Sequence, residues 1–190
     1  GAKGCGRPSR GAALAVSFAG VAEAVREQGA ILAQLAAESG MRATEIADPA
    51  QAWRRLQDFP WGASEAANPG CRAAWRGSVL PSDCAKAARA LHETMRHLAG
   101  GGVAMTVSHG TLRGALVGSS VEALTDALAA ARRALESLGG FLVLMDAPPP
   151  VRTALGVWGP PPAGVNRMHQ LKEAFDPKHI LNPGRFVDGI

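Results

Sequence analysis

A chain of 190 residues with 47% hydrophobic side chains has room for one sizeable domain or two small ones, and enough apolar material for a core, which excludes a disordered protein. The formal charge of +4 and the pI near 9.4 come from arginines scattered along the chain, with no block of like charges, so a nucleic-acid tail is not indicated and the bias suits an anionic small substrate or cofactor. No apolar run approaches the roughly 20 residues of a membrane span, and Cys5, Cys71 and Cys84, without a C-x-x-C, make neither a disulfide framework nor a metal site.

The chain opens on Gly rather than Met and shows no signal-peptide pattern, so it is expected to begin inside a longer protein. Residues 1–11 (GAKGCGRPSRG) read as a linker. They lack the G-x-x-x-x-G-K-[ST] spacing of a phosphate loop. Leu14, Val16 and Phe18 alternate with small or polar residues, which predicts a short strand over 12–18. Val21, Val25, Leu32, Leu35 and Ala36 then share a helical face, and Gly40 closes that helix. Met41–Ile46 reads as a second strand. Pro49 starts a short helix, PAQAWRRLQDF.

Phe59–Cys71 is loop-like. Ala73–Val79 predicts a strand, and Ser82 or Asp83 is the expected N-cap of a helix running to about His97. Val103–Ser108 and Thr111–Val117 predict two strands joined by a hairpin at His109-Gly110. Ser119 or Ser120 should cap the next helix, which stops at Gly139. Phe141–Met145 is consecutively apolar and is expected to be a central strand. Six prolines between 147 and 162 predict a long loop without a helix. A last helix, Val165–Phe175, ends at Asp176-Pro177, because the residue before proline is pushed away from helical angles. Ile180 and Leu181 are expected to anchor the returning chain in the core, with Asn182 held before a Pro-Gly turn.

This order predicts an α+β fold, helices on one face of a mainly antiparallel sheet. No glycine fingerprint follows the first strand, which argues against a doubly wound dinucleotide fold. The candidate chemistry is sparse. His109 is an acid–base candidate or a plain turn histidine. Arg76 and Arg113 lie on strands, where either could grip a substrate carboxylate or simply face solvent. Trp158 covers a flavin edge or buries its loop, while Trp53, Trp61 and Trp75 are core or loop anchors. His92 and His97 lie five apart on one helix, the wrong spacing for a metal pair; no metal site is expected. His169 and His179 read as surface residues. From the residues alone, Asn182 satisfies its own backbone in a common turn, or presents its amide to a ligand.

The tail LKEAFDPKHILNPGRF resembles the C-terminus of the vanillyl-alcohol-oxidase type of FAD-linked oxidases, through Leu171, Lys172, Asp176, Pro177, Ile180, Leu181, Asn182, Pro183, Gly184 and Arg185. More narrowly, AWRRLQDFPW, AAWRGSVLPSD and VSHGTLRGALVG with the proline loop resemble the second half of the E subunits of bacterial glycolate oxidases, through Trp75, Arg76, Ser78, Val79, Leu80, Pro81, Ser82 and Asp83. The resemblance implies a ferredoxin-like cap (substrate) domain over 12–146, following a linker at 1–11 from an FAD-binding domain that this chain lacks. Residues 147–190 are then a proline-rich loop, closing helix and flavin-facing turn.

Pro8 would match the family's exit strand. The implied cofactor is FAD, approached by Asn182 and, more weakly, by Trp158 and Arg185. The implied substrate is a small 2-hydroxy acid, glycolate oxidised to glyoxylate. Implied partners are a D subunit and an iron–sulfur F subunit, in the cytoplasm and peripheral at the inner membrane through those subunits. The family's glycine-rich pyrophosphate loop is missing. So is the Glu-His-Gly motif of its catalytic relatives, since Ser108 precedes His109-Gly110. The chain alone is therefore expected to be inactive. A non-catalytic assembly subunit and a fragment of a D-lactate-type dehydrogenase are the alternatives.

Overall fold

The computed structural model describes residues 12–61 and 71–190. The expected linker at 1–11, with Pro8 and Cys5, and most of the loop after Trp61 lie outside them. The chain divides into two compact units, Gly1–Arg54 and Arg55–Ile190.

In the first unit, α1 spans Ala22–Glu38, and α2 (Pro49–Asp58) begins there and runs into the second. Asp48 caps α2, its carboxylate accepting the Gln51 N–H at 2.9 Å, with Pro49 at the position where a missing N–H costs nothing. The strands expected at 12–18 and Met41–Ile46 are not formed. Alternation marks a strand only when a neighbour takes its backbone hydrogen bonds, and no ladder reaches either segment. The helical face expected of α1 is also not buried. Ala36 is, but Val21 and Leu35 are exposed, as is Trp53.

The second unit carries the sheet. β1 (Arg72–Ser78), α3 (Cys84–Met95), β2 (Gly100–Thr106), β3 (Thr111–Val117), α4 (Val121–Glu136) and β4 (Phe141–Asp146) follow in chain order. The four strands pair antiparallel in the order β2-β3-β1-β4, with α3 and α4 on one face. This β-α-β-β-α-β arrangement is the antiparallel α+β fold that the element order predicts, in the ferredoxin-like form that the resemblance implies.

Periodicity explains the packing. Leu124, Ala127, Leu128, Ala131 and Leu135 recur at three- and four-residue spacing along α4 and are all buried. They meet Trp75, Leu112, Leu116, Leu142 and Leu144, which alternate along their strands towards the helices. Each fully buried leucine contributes about 2 kcal/mol of transfer free energy. The Trp75 indole lies across Gly114 on the paired strand. A Cβ on Gly114 would fall 2.1 Å from the ring, so only glycine fits. The Trp75 Nε1 is buried without a hydrogen-bond partner among the described residues.

Ser120 caps α4 as expected, accepting the Ala123 N–H at 3.2 Å. The Glu122 carboxyl is held below its ordinary value by its own backbone N–H and by Ser120. At α3, Asp83 stands at the N-cap, one of the two expected positions, but its side chain makes no capping hydrogen bond. Pro81–Asp83 forms a 3-10 turn leading into the helix, and Asp83 pairs with Lys86 at 2.7 Å.

Two further expectations fail. Phe141–Asp146 is an edge strand, not a central one. Its apolar run reflects Leu142 and Leu144 facing the helices while Phe141 and Met145 remain exposed on the other face. The proline-rich stretch does contain a helix, α5 (Pro149–Leu155), because its prolines occupy the first turn, where no N–H is needed. Arg132 of α4 holds the end of α5, donating to the carbonyls of Leu155, Gly156 and Val157. Burial lowers the Arg132 pKa, opposed by Glu136. The closing helix α6 spans Val165–Phe175 as expected.

Candidate functional site

Two places in the second unit gather the side chains of interest. The first is the sheet face opposite α3 and α4. Arg76 of β1 and Arg113 of β3 are direct cross-strand partners in antiparallel register, so both side chains project from this face. Thr106 and Thr111 are likewise partners at the adjoining ends of β2 and β3. Pro60 and Trp61, following α2, form a wall over them, and Met145 of β4 closes the far side. Together they line a cleft of about 350 Å³.

The two arginines are not equivalent. Arg113 donates from Nη1 to the Gln57 carbonyl at 3.0 Å and from Nη2 to the Leu56 carbonyl at 3.1 Å. It thus satisfies orphan carbonyls at the C-terminus of α2, where the helix dipole favours a cation. Arg72 braces the same segment, donating to the Pro60 carbonyl at 2.8 Å. Arg76 is exposed and, among the described residues, has no hydrogen-bond or ion-pair partner. No carboxylate lines the cleft among them.

His109 does not join this cleft. It sits exposed in the four-residue hairpin turn, its Nδ1 2.8 Å from the Ser108 hydroxyl. Its neighbour Gly110 has φ 64° and packs so closely on the Val79 carbonyl that no Cβ would fit. The His-Gly pair therefore reflects a packing demand on the glycine.

The second place is the tail. Asp176, at the end of α6, is 5% exposed and ties three groups together. Its two oxygens accept the Ile180 N–H at 3.0 Å and the Leu181 N–H at 2.9 Å, and Lys172 pairs with it at 2.7 Å. Lys172 also donates to the Leu181 carbonyl at 2.6 Å. The Lys172 hydrogen bond is the main cause that holds the Asp176 carboxyl at about 2. The Leu181 and Ile180 N–H groups lower it further, against burial.

This clamp turns the chain outwards. Ile180 and Leu181 are 70% and 61% exposed, contrary to the expectation that they anchor in the core. Asn182 follows with φ 48°, in the left-handed region that asparagine tolerates better than most residues, and its side chain is exposed.

Trp158 and Arg185 lie together, and the Arg185 N–H donates to the Asn182 carbonyl at 3.3 Å. The Trp158 Nε1 donates to the Arg185 carbonyl at 3.3 Å, and its ring meets Phe186 edge-on with centroids 4.8 Å apart. They share a second cleft, of about 330 Å³, with Gly156, Gly184 and Asp188. His169 pairs with Asp188 at 2.9 Å and His179 with Glu173 at 3.0 Å. Both contacts lie at the surface.

Among the described residues no cluster of His, Cys, Asp or Glu is arranged to hold a metal, and no helix is long and apolar enough to cross a membrane. Sequence reasoning missed the clamp function of Lys172 and Asp176. Their four-residue spacing on the last turn of α6, followed by Pro177, carried the signal.

Residues 160–186 match the family described as FAD linked oxidases, C-terminal domain. The matched stretch comprises α6, the clamp, the outward turn and Arg185. With the antiparallel α+β fold, it indicates the C-terminal domain of an FAD-linked oxidase. No curated protein and no solved structure matches the chain.

FAD fits these residues in part. An amide held outward on a rigid left-handed turn suits the edge of a flat heterocycle, which carries both donors and acceptors. No glycine-rich strand-to-helix loop that would cradle a pyrophosphate is found among the described residues.

Proposed function

We propose that this chain is the cap and closing tail of the E subunit of a glycolate oxidase, contributing to the oxidation of a small 2-hydroxy acid, glycolate, to glyoxylate. The observation that carries the reading is the tail. The stretch matching the FAD-linked oxidase family coincides with the segment in which apolar side chains face outward around Asn182. In this reading the pyrophosphate-binding part lies outside these 190 residues. The proposed partners are a D subunit, and an iron–sulfur F subunit that takes the electrons onward. A cytoplasmic complex, peripheral at the inner membrane through those partners, accommodates such a chain.

Flavin, when bound, supplies a two-electron acceptor. The protein's contribution is position and exclusion of water. Asn182 orients the ring through its amide. Trp158 and Arg185, held against each other beside Phe186, present an aromatic face and a cation next to the same turn. Leu171, Phe175, Ile180 and Leu181 displace water when the tail docks. His109 stands outside the sheet-face cleft and is left without an acid–base role.

The test is flavin content and glycolate turnover of the assembled complex carrying Asn182→Ala. Roughly tenfold lower turnover, or loss of bound flavin, is expected. Unchanged flavin content together with unchanged turnover sinks the reading. A second reading, a non-catalytic assembly subunit, is favoured by the same outward apolar residues, since docking needs no flavin contact. It predicts that Asn182→Ala is silent while Phe175→Asp prevents assembly.

A further inference from the structure

We infer that the outer edge of β2 is a pairing surface for a second copy of this chain, the two β2 strands meeting antiparallel about a twofold axis at Val103. An edge strand offers its backbone N–H and C=O groups to any other strand, and proteins blunt such edges with charge, proline, irregularity or a covering segment. The sheet has two edges, β4 and β2. β4 is blunted in three ways. Its Leu144 N–H donates to the Val157 carbonyl at 2.9 Å, its pairing with β1 shifts register at Ala74/Trp75, and it ends on Asp146. β2 has none of these protections. Its seven residues, GGGVAMT, include no charge and no proline, and its ladder with β3 runs without a break. Among the described residues no strand pairs with its outer side.

The glycines of β2 indicate what approaches this edge. Glycine weakens a strand and often marks the close approach of another backbone. Gly101 is explained within the chain, because a Cβ there would lie 2.8 Å from the Ala115 carbonyl oxygen. Gly100 and Gly102 are not. A Cβ on Gly100 would come no nearer than 3.9 Å to Val117, and one on Gly102 would meet the Phe59 ring at 3.6 Å, both ordinary contacts. Neither residue has a positive φ.

Pairing of β2 with its own copy about Val103 accounts for both. Gly100 then faces Thr106 and Gly102 faces Ala104 on the open side of the sheet, while Gly101 faces Met105 and Val103 faces itself on the helix side. The larger Thr106 and Met105 each meet a glycine. Val103 and Met105 are only half-buried against the core of their own chain, and the second copy covers what remains. The neutrality of the strand admits this partner, since like charges opposite one another repel.

The pairing asks nothing of flavin or substrate, so the test uses the 190-residue chain. One strand pair makes a small interface, so association should be weak. Sedimentation velocity should show a concentration-dependent shift from 19.6 kDa to twice that mass. In a chain with Cys5 and Cys71 changed to Ser, Val103→Cys should crosslink two copies on air oxidation. Directly opposed residues hold their Cα atoms roughly 4.5–5.5 Å apart, within disulfide range. Thr106→Cys, which faces Gly100, should not crosslink. Ala104→Lys sets two like charges close to the axis and should weaken association roughly tenfold or more, with amide protection along β3 as the check on its fold. A chain that stays monomeric overturns the inference, including one whose β2 amides are protected because a segment of the same chain occupies the edge. So does a dimer that survives Ala104→Lys, as it would if the exposed apolar tail were the contact. Should Ala104→Lys fail to fold, equal crosslinking of Thr106→Cys and Val103→Cys, or none at Val103→Cys, overturns it instead.

Discussion

The β-α-β-β-α-β core and the C-terminal tail of the same unit obey opposite rules. In the core, the apolar side chains between α4 and the strands are sealed from water, and the one buried cation of α4, Arg132, is satisfied by carbonyls at the end of α5. In the tail, Leu171, Phe175, Ile180 and Leu181 are 58%, 82%, 70% and 61% exposed, while Asp176 is buried at 5%. The core is shaped by hydrophobic burial, which is non-directional and needs many partners. The tail is shaped by a few directed hydrogen bonds to one carboxylate, which hold a chosen backbone path without burying much surface. A segment built that way holds its apolar groups ready for another surface, and contiguous exposed apolar residues mark such interfaces.

Four measurements break or sharpen this contrast. Leu128→Ala removes a fully buried side chain facing the sheet and should cost about 3 kcal/mol in denaturant unfolding. A loss below about 1 kcal/mol would mean the core is looser than its burial implies. Ser120→Ala deletes the N-cap of α4 and should cost about 1 kcal/mol. Phe175→Ser, at the most exposed of the large apolar tail residues, should stay within about 0.5 kcal/mol of the parent chain. A clear destabilisation there would show that the tail is packed like the core.

The fourth measurement is local. Asp176 has its carboxyl lowered from 3.8 to about 2. A depressed folded-state value stabilises above the unfolded pKa, and the benefit is lost as pH falls through the folded one. The tail turn should therefore be intact above pH ~4 and open as pH drops towards 2, while the core ladder is unchanged. Amide exchange at Ile180 and Leu181, compared with Leu112 and Leu116, reads this directly. In Asp176→Asn the two tail amides should lose their protection already at neutral pH. Equal protection at every pH would remove the clamp from the account.

Much of this was legible locally. The spacing of Leu124, Leu128 and Leu135, the Ser120 cap and the His109-Gly110 hairpin announced their elements, because helix periodicity and turn chemistry are short-range. The strands expected at 12–18 and 41–46 failed for the complementary reason. Leu14-x-Val16 alternates properly, yet a strand exists only where a partner lies alongside. Among the candidate residues, the sequence named both arginines but could not rank them. That Arg113 is committed to the carbonyls of Leu56 and Gln57, far back in the chain, is a long-range fact.

By itself, then, the sequence determined the β-α-β-β-α-β order of elements from Arg72 to Asp146 and the break at Asp176-Pro177. Each of these is written in neighbouring residues, through periodicity, capping and the stereochemistry of proline. The tertiary structure alone decided that β4 lies at the edge, that Arg113 rather than Arg76 is committed to the end of α2, and that Ile180 and Leu181 turn outward. Those outcomes depend on which distant groups compete for the same hydrogen bonds and the same buried space, and no local pattern records that competition.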